Sequence, residues 1–246
     1  MKYQLRDMVI GYSIYAAVMI LLAAVVISVS VTNDNVNLSL NGNGFSSVIF
    51  CFVCAIAMYK EQCQLAVQSS ISRKDFFRSS IFVIAILSLL CAFVDLLLRG
   101  ISLSAASFSA ETTGFDLSSF MFLFYPEFLE RSSDAIVTIT GFFMSFFICM
   151  ASAVLGFLIA GIYCRIPKKF RTFYCIALPI IFCGLTPAFS VIAIFSPGPV
   201  RNIMEFLLDL MGITSGSPFC GMMTITVISL LMGLICYRIL KKTEIV

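Results

Sequence analysis

The chain has 246 residues, of which 60 % are hydrophobic and 12 % are charged, and its mean hydropathy is +1.04. Soluble domains average about 45–50 % apolar and about 25 % charged residues, so this composition excludes an ordinary soluble domain and predicts an all-α polytopic membrane protein. Histidine is absent, which excludes catalytic triads, metal sites and proton relays built on histidine. The nucleotide-binding patterns GxxxxGK(S/T) and GxGxxG are absent as well.

Six apolar stretches divide the chain, and each is predicted to cross the membrane as a helix of about 20 residues. The first is too long for the apolar core of a signal peptide, so we expect it to be retained as an anchor. The second has only 15 residues, so we expect its helix to extend into the flanking sequence. The spans form a single transmembrane domain over residues 1–246 and are predicted at 8–31, 45–59, 79–98, 135–160, 173–196 and 217–237.

Basic residues are distributed unevenly over the segments between the predicted spans. Thirteen of the 16 lysines and arginines fall on one side, and only Arg99, Arg131 and Arg201 fall on the other. Because cytoplasmic loops carry an excess of basic residues, both termini and the loops at 60–78 and 165–171 are predicted to be cytoplasmic. The net charge of +3 is then a signal of membrane orientation and not of nucleic-acid binding.

The predicted cytoplasmic loop at 60–80 carries signals for the start of a helix. Ser72 and Asp75 match the capping pattern (S/T)xx(D/E), and Ile71 with Phe76 matches a hydrophobic staple. The residues upstream are good helix formers and can continue the second span outwards. The loop is thus predicted to form a helix, a break and a second helix, which together make a protruding cytoplasmic elbow. An ordinary basic loop with a capped helix start is the alternative.

Two segments on the predicted outer side differ from solvated loops. Residues 118–130 are rich in aromatic side chains, so they are expected to lie in the outer interface or to cap the bundle, with a lid over an exit path as the alternative. Residues 201–211 place charged side chains on one helix face and apolar ones on the other, which predicts an amphipathic helix before the last span. Pro179 and Pro187 are expected to kink the fifth span.

Asp95 is the only acidic residue inside a predicted span, and Arg99 lies four residues further on. A charge buried in a membrane is costly unless it is paired or faces water, so we favour a structural ion pair between them. A lining of the cargo path or a proton-coupling role for Asp95 are the alternatives. Ser152, Gly156 and Ala160 recur every four residues, a spacing that predicts close helix packing within the subunit or across a dimer.

Ten cysteines are present, and most lie within apolar stretches. Cys51 and Cys54 form a CxxC pattern, but it lies in an apolar stretch and has no second pair. We therefore expect these thiols to pack as small hydrophobic groups, with redox or metal chemistry as the alternative.

This organisation resembles the permease subunits of type-2 ATP-binding-cassette exporters. These have six spans, cytoplasmic termini, a short helical elbow between the second and third spans, and an amphipathic segment between the fifth and sixth. The run ISRKDFFR at 71–78 is similar to an SRxxFF stretch of bacterial members, with Ser70 where the family usually has glycine. The resemblance in architecture covers the whole chain, and the motif covers eight residues. The resemblance extends to bacterial exporters of amphipathic peptides such as phenol-soluble modulins.

The resemblance implies a multi-pass protein of a bacterial cell membrane that exports hydrophobic or amphipathic cargo, such as a peptide, a drug or a lipid-like molecule. It implies a second permease copy, identical rather than different, and a separate ATPase subunit that holds ATP and Mg²⁺, so no cofactor is expected on this chain. The elbow would be the coupling helix that contacts the ATPase, with apolar side chains entering a groove of the partner. Its residues are Leu65, Val67, Ser72, Arg73, Lys74, Asp75, Phe76 and Phe77.

Three other classes of function are weighed against this one. An intramembrane enzyme is disfavoured because the spans contain no lysine and no paired carboxylates. An ion-coupled carrier would need several intramembrane ionisable groups and an internal repeat, whereas the spans contain one acid and no convincing repeat. A non-transporting membrane assembly protein is the third alternative.

Overall fold

The computed structural model describes residues 2–32, 43–68, 72–108, 124–167, 169–171, 173, 174, 177 and 197–242. Regular secondary structure within these residues is entirely helical, which confirms the predicted all-α class for this part of the chain. The helices are α1 (Lys2–Thr32), α2 (Asn43–Gln68), α3 (Arg73–Phe108), α4 (Pro126–Arg131), α5 (Asp134–Arg165), α6 (Pro197–Leu210) and α7 (Pro218–Lys242).

Four helices among the described residues are long and apolar enough to cross a membrane. They correspond to the first, third, fourth and sixth predicted spans, and most extend past the predicted limits because the residues at their ends are also compatible with helix. Their apolar stretches are Met8–Val25 in α1, Lys74–Ile101 in α3, Asp134–Arg165 in α5 and Pro218–Leu240 in α7. The fold is thus that of an all-α membrane-embedded protein.

The other two predicted spans have different outcomes. The second forms the first part of α2, whose apolar stretch, Gly44–Tyr59, is shorter than the four spans above. As expected, the helix then continues through polar residues to Gln68. The fifth span, at 173–196, lies outside the described residues apart from positions 173, 174 and 177, and so do Pro179 and Pro187. The total of six spans therefore stays a prediction.

Helix α5 is the centre of the bundle and packs against α2, α3 and α7. Helix α1 packs against α2 and α3, where Met19 and Leu98 belong to a smaller core of their own. Large apolar side chains cover the outward faces, as expected for a bundle surrounded by lipid. The main core contains Cys51, Ala55, Ile84, Leu87, Cys149, Ala153 and Phe157.

The small residues of α5 face α2 of the same chain. Ser152 Oγ donates a hydrogen bond to the carbonyl oxygen of Val48 over 2.7 Å. A Cβ atom added to Gly156 would lie 2.6 Å from the carbonyl oxygen of Phe52, and Ala160 is buried one turn further along. Because these side chains are so small, the two helix backbones approach closely and gain packing contacts that do not depend on the hydrophobic effect.

The aromatic segment before α5 closes one end of the bundle. Tyr125 is buried, and its hydroxyl donates a hydrogen bond to the carbonyl oxygen of Met211 over 2.6 Å. A Cβ atom added to Gly221 of α7 would overlap with this hydroxyl, so a larger residue there would displace the tyrosine. Met144 and Met222 complete a small core around the tyrosine ring. Residues 124–131 therefore cap the bundle, while residues 109–123 lie outside the described part.

The amphipathic helix α6 is present but begins at Pro197, four residues before the predicted start. Proline suits the first turn of a helix because the amide hydrogens there have no intrahelical partner. The apolar side chains of Ile203 and Phe206 are more than half exposed, so this face of α6 lies uncovered within the described structure. Gly212 and Gly216 adopt positive φ angles of 70° and 62° and turn the chain into α7.

Candidate functional site

A chain of hydroxyl groups connects α1 and α2 to the carboxylate of Asp95 in α3. Ser47 Oγ donates a hydrogen bond to Asp95 Oδ1 over 2.8 Å, and the Tyr15 hydroxyl lies 2.8 Å from Ser47 Oγ. The Ser47 hydroxyl has a single proton, which it gives to the carboxylate, so the Tyr15 hydroxyl must donate to Ser47. Tyr15 also lies 3.1 Å from Ser46 Oγ. Three helices therefore share one hydrogen-bonded cluster inside the apolar bundle.

Helix α5 is the fourth helix that contributes side chains around Asp95. Asp95, Arg99, Thr138 and Ser145 line a cavity of about 10 Å³, which is room for roughly one water molecule. Ser145 approaches the Asp95 carboxylate from α5. The second carboxylate oxygen, Asp95 Oδ2, is buried and has no hydrogen-bond partner among the described residues. Asp95 thus has one carboxylate oxygen that accepts a hydrogen bond and one without a partner among the described residues.

Asp95 and Arg99 line the same cavity but have different surroundings. The Asp95 carboxylate is held by a hydroxyl of α2, whereas Arg99 is buried near Asp134, the first residue of α5. The predicted ion pair between Asp95 and Arg99 stays a prediction. The arrangement can do two things chemically: it can fix the packing of four helices, or it can take up a proton inside the membrane.

The sequence did not point to Tyr15, Ser47 or Ser145. Serine is common in membrane helices, and Ser47 is 48 residues away from Asp95 along the chain. Only the packing of α2 against α3 brings the two side chains together. A serine pair at 46–47 inside an otherwise apolar stretch was the available signal.

Helix α3 begins with the predicted cap, which lies in the basic elbow. Ser72 Oγ accepts a hydrogen bond from the Asp75 amide over 3.2 Å, and the Ser72 hydroxyl donates to the Asp75 carboxylate over 2.6 Å. Arg73 is the first residue of α3. Leu65 and Val67 lie in the last turns of α2. The break was predicted at residues 69–72, of which 69–71, including Ile71, lie outside the described residues. The hydrophobic staple therefore stays a prediction.

The two phenylalanines of the elbow pack inwards. Phe76 is buried and lies against Tyr59 of α2 and Phe157 of α5, with ring centroids 6.3 and 6.4 Å away. Phe77 packs against Tyr237 of α7, with ring centroids 5.3 Å apart. Phe76 was expected to enter a groove of a partner, and this expectation is corrected. Its ring is buried inside the bundle, where it holds the start of α3 against α2 and α5.

The CxxC residues are part of the helix packing. Cys51 and Cys54 are free thiols, and Cys51 Sγ lies 3.5 Å from Cys91 Sγ of α3. Cys51, Cys91 and Cys149 are all fully buried. No group of three or more potential metal ligands occurs within the described ranges. This environment fits thiols that act as small apolar side chains.

No protein-family model, curated protein or solved structure matches this chain. Its function therefore has to be inferred from its own residues. The features available for this are the Asp95 cluster, the capped basic elbow and the uncovered amphipathic helix.

Proposed function

We propose that this chain is the permease subunit of an ATP-driven exporter in a bacterial cell membrane. Its helices form the path for hydrophobic or amphipathic cargo, and a separate ATPase subunit binds ATP and Mg²⁺ and performs hydrolysis. Two copies of the permease, each with six spans and cytoplasmic termini, make the complete path.

The observation that supports this proposal most directly is the aromatic contact beneath the elbow. Tyr59, Phe76 and Phe157 come from α2, α3 and α5, and the Tyr59 and Phe157 ring centroids are 4.8 Å apart. Close-packed rings transmit displacement because interiors are dense and resist compression. A partner that pushes on the elbow would therefore move three helices together, which is what coupling to an ATPase requires.

The basic residues and helix α6 add support. Lys74 and Arg78 are exposed on the first turns of α3, at the end of the bundle predicted to face the cytoplasm. At the other end, α6 combines exposed Glu205 and Asp209 with an uncovered apolar face. Such a helix is suited to lie in the plane of the membrane interface.

Copurification tests the proposal. The tagged chain, extracted from its native membrane in mild detergent, should bring down an ATPase subunit, and reconstituted vesicles should show cargo-stimulated hydrolysis. Leu65→Asp with Val67→Asp should abolish this stimulation while the permease still folds, because two charges would be placed on the elbow. Phe170→Asp, an exposed position in the other basic loop, is the control. Full stimulation in the double variant would remove the elbow from the mechanism.

An ion-coupled carrier is the second candidate, and the Asp95 cluster is the observation that favours it. A carboxylate inside a span, beside a cavity for about one water molecule, could bind and release a proton. The two candidates differ in their response to Asp95→Asn. A carrier would lose transport driven by a proton gradient, whereas a folded permease would keep ATP-dependent transport.

A further inference from the structure

A groove of about 350 Å³ opens between the start of α3, the middle of α5 and the second half of α7. Its walls are mainly apolar and include Ile81, Val154 and Leu234. Small-molecule sites have volumes of about 300–1,000 Å³. A single helix turn, about 10 Å wide and about 5.4 Å long, would itself occupy roughly 400 Å³. The groove is therefore better matched to a flexible apolar chain than to a helix.

The mouth of the groove is cationic. Lys74 and Arg78 are four residues apart on α3, so they project from the same helix face, and both line the groove. None of the residues that line the groove is acidic. Asp75, the acid between them in sequence, accepts a hydrogen bond from Ser72 at the helix cap. Two positive charges thus lie directly beside the apolar groove.

We propose that this groove binds an anionic phospholipid, with its phosphate between Lys74 and Arg78 and one acyl chain along Val154 and Leu234. Basic pockets between membrane helices on the cytoplasmic side are suited to anionic headgroups, and each nearby lysine or arginine favours the anionic lipid. The lipid bridges α3 and α7 directly behind the elbow. This site does not depend on the transport proposed above and would serve any membrane protein with these residues.

The absence of tryptophan from the chain allows a direct test. Tyr237→Trp places one fluorophore in the groove, at a position that is already aromatic and lies against Phe77. Leu231→Trp, an exposed position of α7 outside the groove lining, reports on bulk lipid. Each variant is reconstituted in phosphatidylcholine vesicles that contain brominated phosphatidylglycerol or brominated phosphatidylcholine, and quenching of the fluorescence is measured.

Brominated phosphatidylglycerol is expected to quench Tyr237→Trp with roughly tenfold higher apparent affinity than brominated phosphatidylcholine. The two lipids should quench Leu231→Trp equally. In the Tyr237→Trp background, Lys74→Gln with Arg78→Gln should bring the ratio to about one, whereas Lys74→Arg with Arg78→Lys should retain the preference because the charges are kept.

A matched control removes the same charge elsewhere. Arg165→Gln with Lys169→Gln, on the other basic segment, should leave the tenfold ratio unchanged. Equal quenching by the two lipids, or a preference that survives the glutamine pair at 74 and 78, would overturn the proposal. So would the absence of quenching by either lipid, because the groove would then not be open to the bilayer. Circular dichroism and gel filtration establish that each variant is folded.

Discussion

At the scale of single residues, Asp95 is an ionisable side chain that the apolar bundle has to accommodate. It is a carboxylate within an apolar helix, and the hydroxyl of Ser47 supplies the hydrogen bond to its Oδ1 atom. A buried carboxylate without such a donor would keep its full cost of desolvation. The hydroxyls of Ser47 and Tyr15 are thus part of what makes Asp95 tolerable in this position.

Replacing Ser47 by alanine should therefore be costly. We expect Ser47→Ala to lower the free energy of unfolding by about 1–3 kcal/mol, because it removes the donor to Asp95 and the acceptor of Tyr15. Thermal unfolding in detergent measures the effect. Ser13→Ala, an exposed serine that bonds to its own helix, should be nearly neutral. Addition of Asp95→Asn should cost less in the Ser47→Ala background than alone; strictly additive effects would contradict the shared cluster.

The cap of α3 is a second feature at the level of single residues. Ser72→Ala removes the acceptor of the Asp75 amide and should destabilise the start of α3 by about 1 kcal/mol. Adding Asp75→Ala should cost little more, since both changes break the same motif. Thermal melts of the two single variants and the double variant decide this. Losses that simply add would show that Ser72 and Asp75 act independently.

At the level of helices, the contact between α5 and α2 depends on Gly156, which has no side chain. Gly156→Ala should force α5 away from the Phe52 carbonyl and cost roughly 1–3 kcal/mol, because the atom in the way is backbone and cannot rotate aside. Gly11→Ala is the matched control, since a Cβ there meets nothing within 4 Å and alanine favours helix. Unfolding temperatures in detergent should fall for the first variant only.

The cap formed by residues 124–131 should respond to pH through Tyr125. Burial raises the pKa of the Tyr125 hydroxyl above its usual range near 10. The neutral hydroxyl is therefore favoured in the folded state, so its contribution is complete below about pH 10 and is lost as the pH rises through the folded pKa.

Tyr125→Phe tests this contribution. At neutral pH the variant should be less stable by about 1 kcal/mol, because the carbonyl of Met211 loses its donor. The deficit should shrink above about pH 10, where the parent protein also loses the interaction. Unfolding temperatures of both proteins at neutral and alkaline pH provide the comparison, and a deficit that stays constant would show that Tyr125 does not titrate in this range.

At the level of the whole molecule, α5 is the helix against which α2, α3 and α7 pack. The outward faces of the bundle have no such contacts within the described structure. Exposed side chains such as Leu21, Phe219 and Met223 cover the outer faces of α1 and α7. In water this surface would drive aggregation, whereas in a bilayer it needs no partner.

The orientation and the fifth span can be tested together. One cysteine is introduced at a time, at Lys169 or at Glu205, in a background where Cys63 and Cys220 are serine. Labelling with a membrane-impermeant maleimide in intact cells is compared with that of the background, which retains eight native cysteines. We expect Glu205→Cys to be labelled from outside and Lys169→Cys to be protected, because the excess of basic residues predicts that residues 165–171 are cytoplasmic. Equal labelling would mean that the segment between them does not cross the membrane.

Properties that depend on neighbouring residues were determined by the sequence itself. The apolar stretches predicted the positions of α1, α3, α5 and α7, because the energetics of a span depend on composition over about 20 residues. The Ser72 cap was also predictable, since its donor and acceptor are three residues apart. The charge pattern at 201–211 predicted α6 for the same reason, although its start at Pro197 was missed.

Contacts between distant residues were decided only by the tertiary structure. The serine that holds Asp95, the inward packing of Phe76 and the burial of Tyr125 all depend on how the helices are placed around α5. The spacing of Ser152, Gly156 and Ala160 predicts a close contact but not its partner, and packing against α2 selected it. The physical reason is that helical periodicity defines a face, whereas the geometry of the whole bundle determines what that face meets.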